Sequence, residues 1–429
     1  MSRRLVLLLA VTCAVAVGNL YFPQAVLPLI ATGLGVSAES ASLVVTATQI
    51  GYTAGMVLLV PLGDRFRHRS LLVAVLGLSG LALLGAGLAP ALPPLVAAGA
   101  LTGLTTVAAQ VIGPMAAGLA APDRRGAVLG TLLSGSTGGM LLARTFGGTL
   151  GEQLGWRAPY LVASAVTLLL AVVVALAAPV TTPTAARRPY GELLAEPVRL
   201  LRAEPELRRS CLYQAAVFAG FSAFWTSLAL LLTGPAYRLG AEAVGLVALV
   251  GAASMLCTPA AGRLVDRHGP GRVNTVSLTG VLLAAAVMTA GGAGGASGMV
   301  ALAAGALLLD VAMQSGSVAN QARVYALRPD ARSRLNTAYM TCAYLGGTAG
   351  SWLGVHALTR FGWPAVSTVV ALLAATALVR HLTPRRHHGT APGHPAPVSA
   401  PATATPAAAG PTAAAPAAPA PVVRSRRGA

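Results

Sequence analysis

Gly262-Arg263-Leu264-Val265-Asp266-Arg267-His268-Gly269-Pro270-Gly271-Arg272 is a short charged connection between two apolar blocks, 243–262 and 273–296. It places one carboxylate among guanidinium groups. Such a turn can latch neighbouring helix ends by charge-assisted hydrogen bonds, and its carboxylate is favoured near a helix N-terminus. The flanking blocks are roughly 20 residues long, the length that crosses a hydrocarbon core about 30 Å thick. A second connection of the same kind, Val60-Pro61-Leu62-Gly63-Asp64-Arg65-Phe66-Arg67-His68-Arg69, separates the blocks 40–62 and 70–92.

Outward from these two connections the pattern repeats. Apolar segments fall at about 5–32, 40–62, 70–92, 94–120, 126–151, 157–180, 209–233, 243–262, 273–296, 298–322, 333–356 and 362–382. Only 10% of the 429 residues are charged, far below the quarter usual in soluble domains, so an α-helical membrane protein of twelve spans is expected. The net charge of +18 points to topology rather than to nucleic acid. Every basic position is Arg, and 26 of the 30 lie on one set of alternate connections, the termini included. The opposite set holds only Arg157, Arg238 and Arg360, while Arg144 lies within a span. By the positive-inside rule both termini are cytoplasmic, in a multi-pass protein of a bacterial-type inner membrane. The N-terminal Ser2-Arg3-Arg4 and the apolar run behind it suit a signal peptide, but eleven further spans make it the first transmembrane helix.

The long connection 181–208 divides the chain into six spans (1–180) and six (209–382), and its stretch 190–207 suits amphipathic helices on the membrane surface. Residues 383–429 are rich in Pro and Ala and are expected to be a disordered tail, with Arg424, Arg426 and Arg427 able to touch anionic lipid. The halves share an offset of 207. It pairs Pro122-Asp123-Arg124-Arg125 with Pro329-Asp330-Ala331-Arg332, Gly139 with Gly346, Ala143 with Gly350, Gly147 with Gly354, and Gly155-Trp156 with Gly362-Trp363. One offset held across a loop, a helix and the next loop predicts a duplicated six-helix unit.

The two charged connections resemble the signature between spans 2 and 3, and again between 8 and 9, of the major facilitator superfamily. Gly262, Asp266, Arg267, Gly269 and Arg272 match it in the second copy, and Asp64, Arg65 and Arg69 in the first, where Val60 and Arg67 replace the glycines. The resemblance implies two pseudo-symmetric six-helix bundles, and a cytoplasmic gate that Asp64 and Asp266 help to lock. Loops that merely collect Arg for topology would look similar. Asn19 to Gln24 and Ala331 to Met340 resemble the arabinose-efflux-permease-like branch.

Span 5 carries Gly135, Gly139, Ala143, Gly147 and Gly151 at every fourth position, a nearly bare helix face suited to close helix packing. Gly346, Gly350 and Gly354 repeat it in span 11. Gly130, Gly139, Gly147 and Gly148 resemble the antiporter signature of the superfamily, with Ala143-Arg144 in place of its Gly-Pro. That resemblance implies export by antiport; plain packing serves either direction of transport.

Asp310, near the middle of span 10, is the one acidic residue at membrane depth, and Arg144 is deep in span 5. A lone charge there is costly and faces a partner or a water-filled cavity. Asp310, Gln314, Ser317 and Gln321 form one polar stripe. The resemblance implies that spans 1, 4, 7 and 10 line a central cavity. A desolvated carboxylate in it can load and release a proton, with Arg144 responding to its charge. A permanent Arg–Asp pair fits the same residues. Other candidate cavity groups are Asn19, Tyr21, Gln24, Gln110, Phe221, Trp225, Asn336 and Tyr339, where packing or lipid contact is the alternative for the aromatics.

The leading expectation is a monomeric secondary transporter, a proton-coupled exporter of a small organic solute, with an importer on the same fold as the alternative. A non-transporting receptor is a third possibility. No nucleotide-binding loop, hydrolase constellation or zinc spacing occurs. Cys13, Cys211, Cys257 and Cys342 lie singly in apolar blocks. Thus no enzyme activity, cofactor or metal is expected, and the partners are a small-molecule substrate, protons and the lipid bilayer.

Overall fold

The computed structural model describes residues 2–121, 125–179, 189–328 and 332–383, and these are helical throughout their ordered segments, with no strand. The motif residues 122–124 and 329–331, the tail 384–429 with its three arginines, and the side chain of Asp64 lie outside the described set.

Helix ends follow local chemistry. Helix α1 (Arg3–Leu34) begins under the Ser2 hydroxyl, which accepts from the Leu5 N–H, and α2 (Ala38–Leu58) under Ser37. Between them Gly35 takes the left-handed conformation (φ 61°) that closes α1, a position where a Cβ would be strained. After a 3₁₀ turn (Val60–Asp64) come α3 (His68–Gly87), α4 (Leu92–Thr105), α5 (Ala108–Leu119), α6 (Arg125–Leu154) and α7 (Arg157–Ala177). The second half follows α8 (Tyr190–Ala203). It comprises α9 (Pro205–Thr233), α10 (Glu242–Ala252), α11 (Thr258–Thr289), α12 (Gly295–Leu327), α13 (Arg332–Phe361) and α14 (Trp363–Leu382).

Among the described residues nine helical stretches are long and apolar enough to cross a membrane. The expected fifth and eleventh spans are the 30-residue helices α6 and α13, rich in Gly and hydroxyl groups because they face other helices. The eighth is broken: α10 runs into a 3₁₀ turn (Ala253–Cys257) and then into the first part of α11. Gly269 (φ 77°) interrupts α11, so that its two parts correspond to the end of span 8 and the start of span 9. The signature loop is therefore a single left-handed glycine followed by Pro270.

The duplicated pattern appears as duplicated packing. Helix α6 lies along α1, and α13 along α9. A Cβ on Gly135 or Gly139 would collide with the carbonyl of Ala10 or Ala14. On Gly346 or Gly350 it would meet that of Ala215 or Ala219, and on Gly354 the backbone of Ala223. Backbones touch because one partner offers glycine and the other alanine, each at four-residue spacing. Two seams join the halves: α2 lies against α13 and α6 against α10. Helix α8 bridges them at the end where Arg is concentrated. Its Tyr190 hydroxyl donates to the Leu58 carbonyl (2.6 Å), and its Glu196 pairs with Arg334 of α13.

Candidate functional site

Midway along the seam between the halves, side chains of α1, α6, α9 and α12 enclose two buried charges. Arg144 (0% exposed) and Asp310 (1%) are both excluded from solvent. The Arg144 Nε donates to Gln24 Oε1 (3.1 Å), and its Nη1 to the Met140 carbonyl (3.3 Å) one turn back on α6. Three rings face the guanidinium, with centroids 5.1 Å (Tyr21), 5.2 Å (Phe221) and 4.2 Å (Trp225) from its central carbon. Aromatic faces attract a desolvated cation by their quadrupole, so the cage offsets part of the cost of burying Arg144.

Asp310 is not in direct ion pairing with Arg144. Its Oδ1 instead accepts from the Trp225 indole N–H (3.3 Å). Gly251 of α10 closes the other side, where a Cβ would collide with Oδ2. Three polar atoms here have no hydrogen-bond partner: Asp310 Oδ2, Arg144 Nη2 and Gln24 Nε2. Buried donors and acceptors are rarely left unpaired, so the site holds unused hydrogen-bonding capacity.

A ring layer lies next to this site. Tyr52 of α2 and Tyr344 of α13 meet edge to face at 4.4 Å, and Phe218 packs on Tyr344 at 5.0 Å. The Tyr21 and Tyr344 hydroxyls are 3.4 Å apart. Gln49 is buried beside Gly347 with neither amide atom bonded. Beyond the rings, Gln110 donates to the Tyr52 hydroxyl (3.2 Å) and lines a cavity with Val60, Pro114, Pro197 and Thr337, on the side carrying α8. At the opposite end the halves close on each other. Glu152 Oε2 accepts from the Ala241 N–H (2.7 Å), Thr145 donates to the Gly245 carbonyl (3.0 Å), and His356 pairs with Glu39.

Of the residues singled out by sequence, Tyr21, Gln24, Arg144, Phe221, Trp225 and Asp310 come together, with Gln110 one layer away. Asn19 instead bonds Thr167 of α7 (3.0 Å). Tyr339 donates to Gln214 (2.8 Å) and Asn336 accepts from Tyr325 (2.9 Å), in a separate cluster near α8. Gln321 bonds Ser317 of its own helix (3.2 Å), and Gln314 is half-buried on the same stripe. In the signature loops Arg65, Asp266, Arg267 and Arg272 are exposed, Arg69 and Gly262 half-buried, and no ion pair joins Asp266 to a neighbour among the described residues. Sequence reasoning missed Gln49, Tyr52, Tyr344, Glu39, Glu152 and Gly251. A Tyr or Gln within an apolar run was the available signal for the first three.

Comparison with known proteins agrees with this architecture. Residues 7–308 and 211–427 match the family model described as Major Facilitator Superfamily. The uncharacterized transporter YgaY of Escherichia coli O157:H7 is 37% identical over 379 residues, covering 88% of this chain and 95% of that protein. A Streptomyces coelicolor protein, the probable transporter SCO4007, is 34% identical over 86% of this chain and 84% of its own length. The chloramphenicol resistance protein of Streptomyces lividans is 32% identical over 65% of this chain and 70% of its own. In fold the chain is similar to a bacterial homolog of the human lysosomal transporter Spinster, solved inward-facing and unoccupied. The TM-score is 0.67 at 16% identity, over 89% of this chain and 95% of that one. The chain is an all-α membrane transporter protein, and it belongs to the Major Facilitator Superfamily.

Proposed function

We propose that the protein exports a small organic solute across a bacterial cytoplasmic membrane in exchange for protons, by alternating access between its two six-helix halves. In this reading it acts as a monomer with both termini in the cytoplasm, an orientation supported by the Arg distribution. The observation that carries the proposal is Asp310, a buried carboxylate with an unbonded oxygen at the junction of helices from both halves. A proton or a donor group of the solute can satisfy that oxygen, and the two then compete for it. Arg144 and Gln24 each hold a free N–H for an acceptor on the solute. Tyr21, Phe221 and Trp225 supply apolar and π surface. Gln110, Gln314 and Gln321 line the route from the cytoplasm, where the 60–69 and 262–272 loops close the gate.

Export is favoured over import by the relative named for chloramphenicol resistance, since resistance through a transporter calls for removal of the drug. The antiporter-like glycines of α6 point the same way. Import by the same groups is the second reading.

The test uses purified protein in vesicles with an internal pH dye, challenged with chloramphenicol, lipophilic cations, sugars and amino acids. Proton movement triggered by one class and abolished by Asp310→Asn supports exchange through Asp310. Movement that survives in the variant removes Asp310 from the mechanism. The direction of solute movement under an imposed pH gradient separates export from import.

A further inference from the structure

We infer that Trp225 is a positioning residue, the physical link through which Arg144 senses the charge of Asp310, and not primarily a solute contact. The inference rests on the proton-carrying role proposed for Asp310. The three residues come from three helices: Arg144 from α6 in the first half, Trp225 from α9 and Asp310 from α12 in the second. The indole touches both charges. One face holds the guanidinium carbon 4.2 Å from the ring centroid, and the N–H at the ring edge donates to Asp310 Oδ1 at 3.3 Å. Trp225 is fully buried and wedged against Phe224 (5.3 Å) and Gly251, whose lack of a side chain leaves room for both the ring and the carboxylate.

The shared ring changes what a charge at Asp310 does. A direct Arg–carboxylate pair would bind both groups tightly through paired hydrogen bonds and would hold the halves in one arrangement. Through the indole the same charges interact at one remove. An ionised Asp310 accepts a charge-assisted bond from the N–H, which pushes electron density from that bond into the ring and strengthens the face it turns to Arg144. A neutral Asp310 accepts an ordinary bond, roughly half as strong. The ring, held in place by its packing, is then less polarised, and its face attracts Arg144 less strongly. Both the N–H bond and the cation–π contact are electrostatic and sit in low dielectric, where coupled contacts polarise one another. A protonation change on α12 thereby reaches α6, across the seam that must move.

Emission from the Trp225 indole reports this link without any solute. The protein contains four tryptophans, so replacing Trp156, Trp352 and Trp363 by Phe leaves Trp225 as the sole indole. The expected result is emission that follows a single-proton curve with pH, becomes flat in Asp310→Asn, and changes amplitude in Arg144→Gln. A pH-independent emission, or a curve that persists in Asp310→Asn, overturns the inference. If the triple replacement unfolds, the difference between wild-type and Trp225→Phe emission over the same pH series gives the same two outcomes. Because this readout needs no transport, loss of the antiport reading (proton movement surviving in Asp310→Asn) and loss of the Trp225 link are separate results.

Discussion

The Glu152 carboxylate at the end of α6 accepts a hydrogen bond of 2.7 Å from the Ala241 N–H at the start of α10, so one half of the protein caps a helix of the other. A helix start has N–H groups without internal partners, and a carboxylate there is favoured by the dipole as well as by the bond.

Removing this cap shifts the balance between closed and open forms at the end opposite α8. Caps contribute about 1 kcal/mol, less at an exposed carboxylate, which is at most a fivefold change in the ratio of forms. Ser222, buried beside Phe221 on α9 with its hydroxyl unbonded, serves as the reporter, and Glu152→Ala is expected to raise thiol labelling of a Ser222→Cys protein without the native cysteines from that end by up to that factor. An unchanged labelling rate would show that the cap does not hold the seal.

The partner seal is the contact of His356 with Glu39. The His356 Nδ1 faces the Trp352 carbonyl at 3.0 Å and its Nε2 faces the Glu39 carboxylate. Both partners only accept, so both are satisfied only when the ring carries two protons. Arg360 lines the same groove. Spin labels at Ser40→Cys and Thr359→Cys, on a background without the native cysteines, are expected to show one short distance while this contact is intact. A longer component should appear in Glu39→Ala, and an unchanged distance in that variant would show that the contact does not hold the seal.

The glycine faces are expected to be intolerant of even one carbon. Gly350→Ala places a Cβ against the Ala219 backbone, whereas at Gly130 it meets open space. Overpacking costs about 1–3 kcal/mol. Melting in detergent should therefore fall by several degrees for Gly350→Ala and stay level or rise for Gly130→Ala, where helix propensity improves.

The Tyr52–Tyr344 contact separates the charged site from the cavity beside α8. Tyr344→Ala is expected to open that route, accelerating labelling of Ser222→Cys from the α8 side about tenfold while Tyr344→Phe leaves it near the native rate. Equal rates in the two variants would assign the barrier elsewhere.

Much of this architecture was legible because lipid leaves little choice: a backbone within it must be helical, and helix ends gather where Arg gathers. The α6 and α13 glycines predicted close packing; Gly135, Gly139, Gly346, Gly350 and Gly354 meet alanine backbone, while Gly147 meets Phe22 and Gly151 the side chains of Val26 and Leu29. Asp310 and Arg144 stood out because a charge at membrane depth needs a reason. The ring that touches both did not stand out, since no spacing in one helix tells that a ring from a second will touch charges from two others. Asn336 and Tyr339 went elsewhere for the same reason. Their nearest polar neighbours, Tyr325 and Gln214, lie 11 and 125 positions away in sequence. Glu39 and Glu152 read as ordinary residues at helix ends until the opposite half is brought against them.

The glycine-to-alanine contacts of α1 with α6 and of α9 with α13 bear on how the machine moves. Helices whose backbones touch cannot slide or roll without collision, so each pair behaves as one stiff rib. The α2–α13 seam is held by ring edges and the His356–Glu39 contact, whereas at the α6–α10 seam Gly148 and Gly245 again bring backbone against backbone. In the proposed transport cycle a displacement at the α2–α13 seam would therefore be delivered along a whole rib, from the layer beside Arg144 to the mouths of the protein.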